Sequence, residues 1–136
     1  MAQQFEFDLR ETEVGAKQGY TLTGLATGYG RFKRSAGFCH DAAISLILEP
    51  YSGPTHFLLE WVVTEQQIPS CFISSVIEGV QDAALLGRDE HRPIIGVRIG
   101  VVDGFFHEIY SQNYSFRRAA AIAFQAALTE AKLVAV

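Results

Sequence analysis

Two stretches of this chain carry helical periodicity, and four strand-like stretches precede the first of them. Phe72, Ile73, Val76, Val80, Ala83 and Ala84 recur at helical spacing between Pro69 and Leu86. Pro69 suits the first helical turn, where its missing N–H removes no bond. The second helix is expected to start at an N-cap on Ser111. Phe116, Ala120, Ala123, Ala127 and Ala131 define one of its faces, and side chains that small allow close approach to a sheet or to another helix. Strand alternation runs over Phe5 to Thr12, Tyr20 to Thr27, Ala42 to Leu48, His56 to Val63 and Ile95 to Val101. The order is four strands, helix, strand, helix, so helices cannot alternate with every strand. The pattern predicts an α+β two-layer sandwich, a mainly antiparallel sheet of four to five strands with both helices on one face.

The 136 residues make one ordinary domain. A chain of this size buries roughly two-thirds of its unfolded surface, enough for a core without metal or disulfide staples. At 49% hydrophobic it lies within the globular range. The formal net charge of −4 argues against non-specific DNA binding as the main business, because that needs a basic domain. Cys39 and Cys71 are too few for a disulfide framework and read as buried free thiols in a reducing compartment. The opening residues lack the basic and apolar regions of a signal peptide. No apolar run reaches the roughly 18 residues that span a bilayer. A cytoplasmic setting without membrane contact is expected.

Several chemistries lack their motif. No lysine stands in a Gly-x-x-x-x-Gly-Lys-Ser/Thr segment, so no P-loop nucleotide site is present. The glycines from Gly24 to Gly30 lie between strands, which is the wrong context for a dinucleotide. Cys39, His40 and Asp41 are adjacent in an extended segment, so their side chains diverge; a buried thiol beside an exposed histidine is expected, with no metal or cofactor. His107 and Glu108 could form a general base with its carboxylate, but no serine sits in a nucleophile elbow. His107 reads instead as a surface residue after a turn at Asp103-Gly104.

The stretch from Gly28 to Gly37 reads as a glycine-bounded loop. Arg31, Lys33 and Arg34 place three cations within four residues, interleaved with Tyr29, Phe32 and Phe38. Positive charge with planar side chains suits single-stranded or looped RNA, which needs phosphate neutralisation and stacking. A solvated hairpin loop kept soluble by its charges has the same composition.

Pro93 to His107, PIIGVRIGVVDGFFH, is similar to the strand and D-G-S-Y-H turn of the fourth domain of translation elongation factor G and the related ribosomal-protection GTPases. Ser115-Phe116 and the alanine-rich helix resemble that family's S-S-E-x-A-F-x-x-A helix. Ile68-Pro69, Phe72-Ile73, Val76 and Gly79-Val80-Gln81 resemble its V-P-x-x-Y-I-P-A-V-x-x-G-I-Q segment. Arg10-Glu11-Thr12 and Glu49-Pro50 fall near its Y-R-E-T and I-E-P. The resemblance covers nearly the whole chain and is most specific from Ile68 onward. The family's S-G-G-R-G-Q-F-G loop is replaced here by Gly28 to Gly37, and its D-S-S-E by Tyr110 to Asn113.

The resemblance implies a ribosomal-protein-like sandwich whose βαβ crossover is left-handed, against the usual rule. It also implies a non-enzymatic, translation-related domain whose two tip loops meet and contact structured RNA or the ribosome. Here those loops are Gly28–Gly37 and Asp103–Ser111. Arg31, Lys33 and Arg34 would contact phosphates, Gly28 and Gly30 would admit a close backbone, and His107 would donate or stack. A self-associating interaction module is the alternative, through an uncovered sheet surface with Tyr51, Trp61 and the strand His56–Val63.

Overall fold

A computed structural model describes residues 2–9, 19–35, 37, 39–87 and 93–135. The elements are β1 (Gln3–Phe7), β2 (Tyr20–Leu22), β3 (Ala26–Arg34), β4 (His40–Pro50), β5 (Phe57–Trp61), a 3-10 turn (Ser70–Phe72), α1 (Ile73–Leu86), β6 (Val97–Phe106), α2 (Asn113–Glu130) and β7 (Leu133–Ala135). The main sheet has the order β1-β5-β6-β4-β3. All its neighbours are antiparallel except β5 and β6, which α1 connects. The predicted α+β sandwich is therefore present, with five strands. Arg10-Glu11-Thr12 and Phe38 lie outside the described residues.

Alternation decides which face is core. Ile44, Leu46 and Leu48 of β4, Phe57, Leu59 and Trp61 of β5 and Val97, Ile99 and Val101 of β6 are buried beneath the helices. Trp61 is thus core on the helix side of β5, between β1 and β6, while Leu58 and Glu60 are half-buried and Val62 is exposed. Phe7 stacks on Phe57 with ring centroids 5.0 Å apart, which seats β1 on the same core.

The small residues of α2 have the predicted use. Ala119, Ala120, Ala123 and Ala127 are fully buried. A Cβ on Gly28 would stand 2.0 Å from the Ala123 carbonyl oxygen, and one on Gly30 would stand 2.2 Å from that of Ala119. Gly79 of α1 meets α2 in the same way, 2.2 Å from the Arg117 carbonyl oxygen. Three missing side chains let β3 and α1 approach one helix to backbone contact. Arg117 spans the helix pair outside, donating to Asp82 at 2.7 Å and to Glu78 at 3.3 Å.

Three local expectations are corrected, and one strand is unforeseen. The strand expected over Tyr20–Thr27 breaks at Thr23–Leu25, because β2 pairs with β7 while β3 joins the main sheet. The strand β7 has three residues, too few to show a period. The loop expected over Gly28–Gly37 is strand as far as Arg34, because β4 supplies a partner for every residue from Ala26 on. Asp103-Gly104 is no turn. It lies inside β6, where the register shifts so that Val102 bulges, and Gly104 makes room for Ile68, whose Cδ1 would stand 2.2 Å from a Cβ there. Asp103 holds the bulge by accepting the Gly104 N–H at 2.8 Å.

On the open face, Arg98 donates to Glu60, and Gln4 donates to the other Glu60 oxygen at 3.3 Å. The Arg98 hydrogen bond holds the Glu60 carboxyl below its ordinary value of 4.5. A carboxylate lowered on folding stabilises the protein above its unfolded pKa and loses that contribution as pH falls through the folded value. Stability should therefore drop below about pH 4.5, and Glu60→Gln should flatten that acid limb in thermal melts recorded from neutral pH downward. The pair is partly exposed, so the effect is expected to stay under about 1 kcal/mol.

Candidate nucleic-acid interface

One end of the sheet joins the β3–β4 hairpin to the connection between β6 and α2. The Asp41 N–H donates to the Tyr110 carbonyl at 3.2 Å, and the Ser111 hydroxyl donates to the Asp41 carbonyl at 2.5 Å. The same Ser111 oxygen accepts the His107 N–H at 2.8 Å, and the Ser111 N–H donates back to the His107 carbonyl at 2.9 Å. Ser111, expected as the N-cap, is thus the link between the two segments. The N-cap is Gln112, whose N–H donates to Ser115 Oγ at 3.0 Å. Asp41, just beyond the predicted Gly28–Gly37 segment, thus ties the β3–β4 hairpin to the predicted Asp103–Ser111 segment.

Along β3 the side chains alternate. Tyr29, Arg31 and Lys33 project from the open face, while Phe32 faces the helix side. Arg31 donates from Nε and Nη2 to both oxygens of Asp41 at 3.1 Å, and its guanidinium lies 5.7 Å from the Phe105 ring centre. The Asp41 hydrogen bond holds Arg31 above its ordinary pKa, so it is always charged. Its charge is nonetheless partnered. Lys33 and Arg34 are exposed and have no ion-pair partner among the described residues. The predicted cation cluster therefore divides into one committed arginine and two uncommitted cations.

Gly28 and Gly30 stand apart from the other predicted site residues. The side on which they lack a Cβ is filled by α2, so the close backbone they admit is that of the helix.

His107 is half-buried, and its ring stacks on Tyr110 with centroids 4.4 Å apart. Nδ1 accepts the N–H groups of Ile109 and Tyr110 at 3.1 and 3.2 Å. That places the ring proton on Nε2, the nitrogen left to donate outward.

The expectation for Cys39-His40-Asp41 is reversed. Cys39 is half-buried, Cys71 is exposed, and His40 is buried. Helix α2 explains this, because it covers the His40 face of the hairpin. His40 Nδ1 lies 2.8 Å from Ser115 Oγ, and its ring packs with Phe32 and Tyr114. Among the described residues, no three metal-ligating side chains converge.

Sequence reasoning missed Tyr114 and Arg118. Both are exposed on α2, and the Arg118 guanidinium lies 5.6 Å from the Phe32 ring centre. Their spacing of four along a helix was the available signal, but only the packing of α2 over β3 brings them beside the hairpin. Ser115 is the buried hub of this end. It accepts the Gln112 N–H, contacts His40, and reaches the Tyr110 carbonyl at 3.3 Å. Ser115→Ala should therefore lower stability by about 1–3 kcal/mol, since it strands buried partners. Denaturant melts would check this, and a change within error would show that the hub is replaceable.

These groups form a two-layer α+β domain with exposed cations, outward donors and aromatic rings at one end. The family model of elongation factor G, domain IV, matches residues 21–132, and the chain belongs to that family. A crystal structure from Thermus thermophilus is similar, with a TM-score of 0.80 and 30% identity. The match covers 88% of this chain and 18% of that one, so this chain spans less than a fifth of that relative's length. Among the described residues, no helix is long and apolar enough to cross a membrane.

Proposed function

We propose that this chain is a non-enzymatic, translation-related domain that binds structured RNA, with the ribosome as its natural source, in a cytoplasmic setting. The observation that carries the reading is the linkage of Asp41 to Tyr110 and Ser111. It joins the hairpin that carries two uncommitted cations, Lys33 and Arg34, to the segment that carries the Nε2 donor of His107. Exposed cations neutralise phosphates, and a ring N–H is a directed donor to a phosphate or a base edge. Arg31 holds the hairpin through Asp41, and Gly28 and Gly30 hold it against α2. The use of His107 Nδ1 by two backbone N–H groups supports a positioning histidine over a general base.

Co-sedimentation with ribosomal subunits, and filter binding to structured RNA, test this at two salt concentrations. Binding that weakens as salt rises is expected. No binding at low salt overturns the reading.

A further inference from the structure

The sheet face turned away from the helices carries groups that the tip does not use. Tyr29 is 58% exposed, Phe105 43% and Val102 38%, high values for large apolar side chains inside strands. Between Tyr29 and Val102 lies a depression of about 340 Å3 with Ser45 and Ile47 beneath it and Thr27 at its rim. We propose that this face is a stacking platform for unpaired RNA nucleotides entering from the tip. The proposal rests on the RNA-binding reading and adds base contact to phosphate contact.

The register builds the platform. Tyr29 pairs with Ser45, and Ser45 pairs with Asp103; Arg31 pairs with Ala43, and Ala43 pairs with Phe105. The central strand β4 therefore contributes small side chains, while planar groups rise from β3 and β6 on either side. Two strand spacings separate those flanking strands, about 10 Å in all, which leaves room for a flat base between them. Arg31 is held by Asp41 over the Phe105 ring. Aromatic rings and a fixed guanidinium plane are the surfaces on which unpaired bases stack.

Polar groups complete the site. The hydroxyls of Thr27 and Ser45 have no hydrogen-bond partner among the described residues, so both can meet a base edge. Lys33 projects from the same face one step toward the tip, while Arg34, across from the buried His40, alternates to the helix side. This charge chooses the occupant. A protein covering the patch would desolvate the Arg31–Asp41 pair and still leave Lys33 to be matched. A polyanion places a phosphate at Lys33 and its bases over Tyr29.

The test titrates the full chain with an oligouridylate of about twelve nucleotides and with an RNA hairpin of the same length. Tyr29→Ala is expected to weaken oligouridylate binding at least about tenfold, with the hairpin affinity and salt slope unchanged. Tyr29→Phe keeps the ring and should bind as the wild type. Phe105→Leu, which keeps apolar bulk on the strand, should show a smaller selective loss. Circular dichroism melts confirm that the variants are folded. If both ring-removing variants bind oligouridylate normally while Lys33→Ala with Arg34→Ala weakens every RNA, the platform is overturned and the tip reading stands. If no RNA binds at low salt, both fall. If the chain instead self-associates and Tyr29→Ala abolishes that, the face belongs to a protein contact and the proposal is overturned.

Discussion

Gly30→Ala is expected to destabilise the domain by about 3 kcal/mol or more, near the upper end for overpacking. The added methyl would stand 2.2 Å from the Ala119 carbonyl oxygen, 2.5 Å from the Ala123 nitrogen and 3.0 Å from the Ala123 Cα. All three are backbone atoms of α2, so no flexible side chain can swing aside. Relief requires the helix to lift off β3, and that separates the buried alanines from the sheet along several turns. For a domain of this size the loss corresponds to a fall in Tm of roughly 10 °C. Gly24→Ala is the matched control, since nothing lies within 4 Å of a Cβ there, and its effect should stay within about 0.5 kcal/mol. Equal melting temperatures for the two variants would refute the close packing of β3 against α2. Gly28→Ala should behave like Gly30→Ala, with its methyl 2.0 Å from the Ala123 carbonyl oxygen.

Lys33→Ala combined with Arg34→Ala should change RNA binding without changing the fold. Each phosphate contact contributes roughly 0.7–0.9 to the slope of log affinity against log salt, so losing two should flatten the slope by about 1.6. Between about 50 and 200 mM salt the wild type should therefore lose roughly tenfold more affinity than the variant. Neither side chain has an ion-pair partner among the described residues, so melting should be nearly unchanged. Arg31→Ala is the poorer probe, although Arg31 belongs to the same run of cations. Its removal strands the buried Asp41 carboxylate, which its bidentate pair now satisfies. The resulting loss of stability would confuse any loss of binding. An unchanged salt slope in the double variant would remove Lys33 and Arg34 from the interface.

Glycine shows where the sequence could and could not be read. From composition, Gly28 and Gly30 beside three cations read as a flexible loop, because glycine weakens strands and is common in turns. In the fold they sit within β3, where the missing Cβ admits a helix from far later in the chain. Asp103-Gly104 misleads in the same way: a turn signature serves a bulge that seats Ile68. A local signature reports that the backbone is unusual at a position. It does not report which distant segment makes use of it.

The sequence by itself determined the α+β class, four of the five main strands, the two helices and the buried alanine face. Each of these follows from periodicity, which is a property of neighbouring residues. The chain's motifs also carried the resemblance to the family. Tertiary structure alone decided which cations remain uncommitted, because ion pairing depends on the 3.1 Å approach of Asp41 to Arg31. It alone placed Tyr114 and Arg118 beside the hairpin, and Tyr29 and Phe105 on one open face. Those groupings come from strand register and helix docking, which bring together residues that share no local pattern.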